Sequence, residues 1–109
     1  MARGEFLGDF EQLIMLAILR LGDDAYGLRV QGELTKRAGR TASIGAIYTT
    51  LDRLEEKALV RSAVGESTPE RGGRAKRIFT VTGAGRASLR QSIGATRSMT
   101  AGLKGFDFA

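Results

Sequence analysis

The segment from Arg40 to Thr82 constrains the fold most, because a helical pattern is followed there by two strand patterns around a glycine-rich turn. Apolar residues in its first part recur at spacings of three and four, which places them on one stripe of a helix. These residues are Ile44, Ile47, Leu51 and Leu54. Residues 59–64 and 77–81 are rich in β-formers and alternate in character, so they predict two short strands. The segment therefore predicts a helix followed by a β-hairpin whose long turn projects.

The opposite face of this helix is weakly charged and carries short side chains. It comprises Ser43, Ala46, Thr49, Thr50 and Arg53. Such a face can approach a DNA duplex closely and hydrogen-bond to it. The turn that follows places four cations within seven residues, namely Arg71, Arg74, Lys76 and Arg77. Cations among glycines suit contact with phosphate or a minor groove, although a charged turn taken alone is more often only a solvated surface.

Composition limits the chemistry that the chain can perform. The 109 residues fit one small domain and include no cysteine and no histidine, which excludes disulfides, thiolate metal sites and the commonest general base. The adjacent Glu55 and Glu56 point about 100° apart on a helix, so they cannot work as a catalytic pair and fit a solvated helix end. Asp23 and Asp24 suit the start of a helix better than a metal site. We expect no enzymatic activity, no cofactor and no metal.

Positive charge is concentrated in the second half of the chain. Residues 1–60 hold 8 Lys and Arg against 9 Asp and Glu, whereas residues 61–109 hold 9 against 3, for a net charge of +5. This distribution favours a polyanionic partner such as nucleic acid, although basic patches also occur for solubility alone. The longest apolar segment, residues 13–21, is too short to cross a bilayer, and residues 1–6 lack a signal-peptide pattern. We expect a cytoplasmic protein associated with the nucleoid and not with a membrane.

Two helices are predicted before residue 40. The first runs from about residue 9 to 21, with Asp9 and Gln12 as a capping box. Its apolar residues wrap most of its circumference, which predicts a central core helix with surface left for a second subunit. Asp24 is predicted to cap the second helix, which ends at Gly39.

Two further caps divide the rest of the chain. Ser43 is predicted to cap the third helix, which continues to about residue 58, and Thr82 a fourth helix from about 83 to 103. The start of the fourth helix, Gly83-Ala84-Gly85-Arg86-Ala87-Ser88, nearly matches the dinucleotide-binding pattern G-x-G-x-x-G. Because Ser88 replaces the third glycine, we interpret the segment as an ordinary first helical turn.

The order of helix, helix, helix, strand, turn, strand and helix is that of a winged helix-turn-helix, and the chain resembles the PadR-type transcriptional regulators. The motifs that carry this resemblance lie between residues 5 and 90: Leu19-Arg20-Leu21-Gly22, Ala25-Tyr26-Gly27, residues 43–55, Leu59-Val60 and Thr82-Gly83-Ala84-Gly85-Arg86. The resemblance implies a mainly α-helical fold with a small two-stranded β-wing. Residues 1–82 would form the DNA-binding domain, and residues 83–109 a C-terminal helix for dimerisation with a frayed tail.

The resemblance also implies which residues meet double-stranded DNA. The third helix would enter the major groove, the wing would hold the flanking backbone, and a homodimer would bind a pseudo-palindromic operator, usually as a repressor. The matching positions are Ser43, Gly45, Ala46, Tyr48, Thr49 and Arg53 on the helix, with Arg71, Arg74 and Lys76 on the wing. Tyr48 has an equally good alternative, in which its ring packs on the core edge and only its hydroxyl is offered.

The chain also departs from the family pattern. Thr49 stands where proline is frequent, Phe79 where tyrosine is common, and Ala58 where a helix-ending glycine is usual. An Ala58 forced into a left-handed conformation would cost about 1 kcal/mol relative to glycine. The family dimerises through long C-terminal helices, whereas this chain has one short helix containing Gly94, so we expect it to pair with the first helix of a partner subunit.

Two questions stay open at the level of sequence. Some members of the family bind small-molecule effectors, but no aromatic cage or polar cluster in this chain identifies one. A function of another class is also compatible with the pattern: a winged-helix module for protein–protein assembly, with its basic face turned to an acidic partner.

Overall fold

The structure, a computed structural model, describes residues 6–65 and 76–106. Its elements in chain order are α1 (Asp9–Leu21), a 3₁₀ turn (Gly22–Asp24), α2 (Gly27–Ala38), α3 (Ile44–Glu56), β1 (Val60–Val64), β2 (Arg77–Val81) and α4 (Gly83–Thr100). The strands pair antiparallel, with Val60 opposite Val81 and Val64 opposite Arg77. This order confirms the predicted winged helix, mainly α-helical with a two-stranded sheet and a C-terminal helix.

Helix α1 lies at the centre of the core, as its wide apolar surface predicts. Ile14 and Met15 are fully buried, and they pack in one cluster with buried residues of every other helix and both strands. The apolar stripe of α3 contributes three fully buried side chains, Ile47, Leu51 and Leu54, whereas Ile44 lies at the helix start and is 36% exposed. Burial of this stripe fixes which face of α3 is left to solvent.

Two of the predicted caps are wrong. Helix α1 begins after Gly8, whose backbone N–H donates to Glu11 Oε1 at 2.9 Å, so Asp9 and Gln12 do not form the capping box. Asp24 does not cap α2, because it is the last residue of the 3₁₀ turn and Tyr26 occupies the position before the helix. The Asp24 carboxylate instead pairs with Arg29 at 2.7 Å.

Three other predicted helix boundaries, at Ser43, Thr82 and Gly39, rest on local signals that the structure confirms. Ser43 Oγ accepts from the backbone N–H of Ala46 at 3.0 Å, and Thr82 Oγ1 accepts from that of Gly85 at 3.0 Å. Gly39 ends α2 in the left-handed conformation, with φ of 62°. Helix α4 ends at Thr100 and is therefore shorter than predicted.

The fourth helix begins in unusually close contact with the turn between α3 and β1. The Thr82 backbone N–H donates to the Leu59 carbonyl at 3.0 Å, and Thr82 Oγ1 donates to the Ala58 carbonyl at 2.8 Å. Gly85 is buried against the same turn, so that a Cβ there would overlap the Leu59 carbonyl oxygen. Gly85, one of the glycines in the near-match to the dinucleotide-binding pattern, is therefore required for packing.

Ala58 adopts the left-handed conformation directly after α3, with φ of 62°. Because a side chain is strained there and glycine is not, Ala58→Gly is expected to raise the free energy of unfolding by about 1 kcal/mol. Urea denaturation followed by circular dichroism measures the change. Ala87→Gly, at an exposed position inside α4, is the control and is expected to lower stability by about 1 kcal/mol. Equal losses in the two variants would contradict the argument.

Candidate nucleic-acid interface

The exposed face of α3 carries five of the six predicted helix positions. Ser43, Gly45, Ala46, Thr49 and Arg53 are all exposed. The first four are small, so another surface can come close to the helix backbone there, and Arg53 stands one turn beyond Thr49. None of the ion pairs within the described residues involves Arg53. The face therefore offers a close approach together with a guanidinium that forms no ion pair within the described residues.

Thr50 does not belong to this face, contrary to prediction. It is only 5% exposed. The reason is its spacing, since residue 50 lies three residues after Ile47 and four before Leu54, which puts it on the buried stripe. The polar hydroxyl of Thr50 is typical of a surface residue, but its helical spacing from Ile47 and Leu54 buries it.

Tyr48 lies at the edge between this face and the core. Its ring is partly buried against the core, with its centroid 6.3 Å from that of Phe79. On another side the ring covers Gly27 at the start of α2, where a Cβ would overlap the ring. Of the two alternatives left by the sequence, the structure therefore shows the ring packed against the core. Tyr48 acts as a spacer between α3 and α2, and Gly27 is needed to accommodate it.

The base of the wing is joined to the start of α2. Lys76 Nζ lies 4.8 Å from the centroid of the Tyr26 ring, a cation–π distance. The backbone N–H of Phe79 donates to the Ala25 carbonyl at 2.8 Å, so the segment before α2 lies along the free edge of β2. The Ala25-Tyr26-Gly27 motif thus contacts β2, Lys76 and Tyr48 in turn. Arg71 and Arg74, predicted at the wing tip, lie outside the described residues.

The sequence predicts Arg77 among the wing cations that suit phosphate contact, but in the structure Arg77 binds acidic partners. Its guanidinium donates to Glu55 Oε1 at 2.7 Å, to Asp52 Oδ1 at 3.3 Å and to Ser62 Oγ at 3.1 Å. Burial alone would lower the pKa of Arg77, but hydrogen bonds to both carboxylates hold it above its ordinary value. Arg77 is therefore held by carboxylates, whereas Lys76 beside it lies over the Tyr26 ring.

Glu55 is also not the solvated helix end that the sequence predicts. Its carboxylate accepts from the Ser62 hydroxyl at 2.8 Å and from the Ser62 backbone N–H at 3.2 Å. The Ser62 hydroxyl does most to lower the pKa of Glu55, burial opposes this shift, and Arg77 lowers it further. Glu55 stays ionised and ties α3 to β1.

Other kinds of site are not seen in the part of the chain that is described. Residues 6–65 and 76–106 contain no group of three or more acidic, histidine or cysteine side chains placed to hold a metal ion. Within the same residues no helix combines the length and apolar character required to span a membrane.

Comparison with known proteins identifies the family to which this sequence is similar. The model of the Transcriptional regulator PadR-like family matches residues 15–91. No curated protein matched the sequence of this chain.

Several solved structures share the fold. A PadR-like transcription factor from Bacteroides fragilis is 25% identical, with a TM-score of 0.67, and the match covers 84% of this chain and 82% of that chain. A PadR-like transcriptional regulator from Bacillus cereus is 23% identical, with a TM-score of 0.68 and coverage of 90% and 93%. A PadR family transcription regulator from Clostridium difficile is 22% identical, with a TM-score of 0.67 and coverage of 84% and 91%.

Proposed function

The chain belongs to the PadR-like family of transcriptional regulators, which makes it a DNA-binding regulator, and from this premise we propose a sequence-specific repressor that binds a pseudo-palindromic operator as a homodimer. The observation that carries the proposal is the exposed face of α3. Its small side chains and its uncommitted Arg53 are backed by three fully buried apolar residues, which hold that face outward. The protein would act in the cytoplasm, on the nucleoid.

Helix α3 is proposed to lie in the major groove, which is wide enough to admit a helix. Arg53 would contact a base edge, since arginine paired with guanine is the commonest specific contact. Ser43 and Thr49 would hydrogen-bond to backbone or bases, while Gly45 and Ala46 permit the close approach. Tyr48 would contribute through its packing against Gly27, with only its polar end offered to DNA.

The wing is proposed to hold the phosphate backbone beside this groove. Lys76 supports the proposal because it stacks on Tyr26 and none of the ion pairs found within the described residues includes it. Arg71 and Arg74 are assigned to the same role from sequence alone. Such contacts add affinity for any duplex and fix the orientation of α3, but they carry no sequence information.

The dimer is proposed to form through α4, so that residues 1–82 read DNA and residues 83–109 join the subunits. Ser88, Leu89 and Ser92 pack α4 on its own domain, but beyond residue 93 the helix is largely exposed. Met99 on α4 and Leu103 just beyond its end are 77% and 51% exposed. They would cover apolar surface of a partner subunit.

The seat proposed for the partner's α4 is the outer face of α1. Leu16 and Leu19 of α1 form the floor of a groove of about 310 Å³, with Leu89 and Ile93 on its α4 side. Arg86, Arg90 and Arg97 also line this groove. The two reading helices would then lie about 34 Å apart, one turn of the duplex.

Selection of bound duplexes from a random pool tests the proposal. We expect a two-fold symmetric consensus, because two copies of α3 read the two half-sites. Arg53→Ala should flatten the preference at the base it contacts, by about 1–3 kcal/mol of discrimination. Arg74→Ala should weaken binding to all duplexes alike.

Lys36→Ala is the control, since Lys36 is an exposed cation near the end of α2, outside the proposed reading face, the wing and the dimer helix. It should leave the consensus unchanged. Failure to enrich any sequence, together with indifference to Arg53→Ala, would instead support the protein–protein assembly module.

A further inference from the structure

We propose that Arg77 is a positioning residue for DNA binding, which locks the wing to the reading helix and is not itself a phosphate contact. The inference rests on the proposed function, because it assigns a role within that interface. Its role needs explaining because Arg77 stands at the start of β2, where a cation would ordinarily be expected to contact DNA.

The location of Arg77 suits a lock. It is the first residue of β2 and pairs with Val64, the last residue of β1, so it lies where the hairpin leaves the sheet for the wing turn. Its guanidinium reaches across to α3, with 2.7 Å to Glu55 Oε1 and 3.3 Å to Asp52 Oδ1. It also lies 4.9 Å from the centroid of the Phe79 ring. One face of the planar group and the donors Nε and Nη2 are thereby engaged.

The acidic side of the lock is organised around Glu55. Asp52 and Glu55 stand three residues apart, on one side of α3. The Glu55 carboxylate accepts from the Ser62 hydroxyl at 2.8 Å, and that hydroxyl oxygen accepts from Arg77 Nε at 3.1 Å. One carboxylate therefore joins α3 to both strands of the hairpin. A rotation of the wing relative to α3 would have to break several of these bonds together.

Arg77 also neutralises charge beside the reading helix. The Asp52 carboxylate is 62% exposed, and without a counter-ion it would repel the phosphates of a duplex lying on α3. The side chain of Arg77 is 40% exposed and its single charge is offset by two carboxylates, so the cluster presents no net positive charge to DNA. Lys76 is the natural contrast, because its ammonium group lies over Tyr26 and none of the described ion pairs contains it.

Comparison of Arg77→Gln with Lys76→Gln tests the inference. The probes are the duplex that the wild-type protein selects from a random pool and a scrambled duplex of the same length, each titrated over a range of salt concentrations. Lys76→Gln should reduce the slope of log K against log salt by about 0.9 and leave the ratio between the two duplexes unchanged. Arg77→Gln should leave the slope unchanged and reduce the ratio by about tenfold.

Three further variants keep the test independent of folding. Arg77→Lys preserves the charge but not the planar fork, so it should also lose discrimination, whereas a phosphate contact would survive this change. Glu55→Gln should reduce the ratio between the two duplexes although it removes no cation. The double variant Glu55→Gln/Arg77→Gln should reduce this ratio no more than the more damaging single variant. Thermal unfolding followed by circular dichroism checks that each variant is folded.

The inference would be overturned if Arg77→Gln lowered the salt slope by about 0.9 and kept the ratio, or if Arg77→Lys behaved as the wild type. Additive losses in the double variant would also overturn it. These results leave the proposed function intact. A wild-type protein that binds no duplex at any salt concentration would instead overturn the proposed function, and the positioning role would fall with it.

Discussion

Gly85→Ala is expected to lower the free energy of unfolding by about 3 kcal/mol or more, whereas Gly83→Ala should change it little. A Cβ at position 85 would overlap the Leu59 carbonyl oxygen and come within 2.9 Å of Val81 Cγ1. The backbone cannot move aside cheaply, because the neighbouring Thr82 is hydrogen-bonded to the carbonyls of both Ala58 and Leu59. At position 83 an added Cβ meets nothing within 4 Å.

Urea denaturation of the two variants, followed by circular dichroism, measures this difference. Gly83 is the matched control because it lies in the same helical turn and receives the same chemical change. Similar free energies of unfolding for both variants would show that α4 can shift away from the turn after α3, and that the contact is not a constraint. A loss confined to Gly85→Ala would establish that the start of α4 holds the end of the reading helix in place.

This glycine illustrates what the sequence could not predict. Ser43, Thr82 and Gly39 act through hydrogen bonds or backbone conformations within a few residues, so their sequence patterns predict them correctly. The need for glycine at position 85 arises from Leu59, which is distant in sequence and meets α4 only through the fold. The glycine pattern alone could equally be mistaken for a nucleotide-binding turn.

The candidate site shows the same difference between features set by local sequence and contacts between distant segments. The exposed face of α3 follows from helical periodicity, and five of its six predicted positions are exposed. Glu55 and Arg77 were misassigned, because a charged residue in a charged stretch is normally solvated and only the fold brings them together with Ser62. Gly27 beneath the Tyr48 ring is a third case of contact between distant segments. Sequence patterns predicted elements and faces, while the contacts that lock elements together required the structure.

Binding to a duplex is expected to weaken by a factor of about 10³ or more when salt rises from about 50 to 200 mM, if roughly six phosphates are contacted. The cations responsible lie mainly in residues 61–109, where 9 Lys and Arg face 3 acidic residues. Fluorescence anisotropy of a labelled duplex, selected by the wild-type protein from a random pool, measures the affinity at each salt concentration.

The variants of this titration separate local contacts from general attraction. Arg74→Gln should reduce the slope by about 0.9, the share of one phosphate, because the wing is proposed to hold the backbone. Lys36→Gln removes the same charge from α2 and should leave the slope unchanged, since attraction that does not release counter-ions from a phosphate contributes little to it. Equal reductions in both variants would mean that DNA senses only the total charge of the protein. In that event the basic half of the chain would be no evidence for a wing seated on the backbone, and the reading helix would have to account for orientation alone.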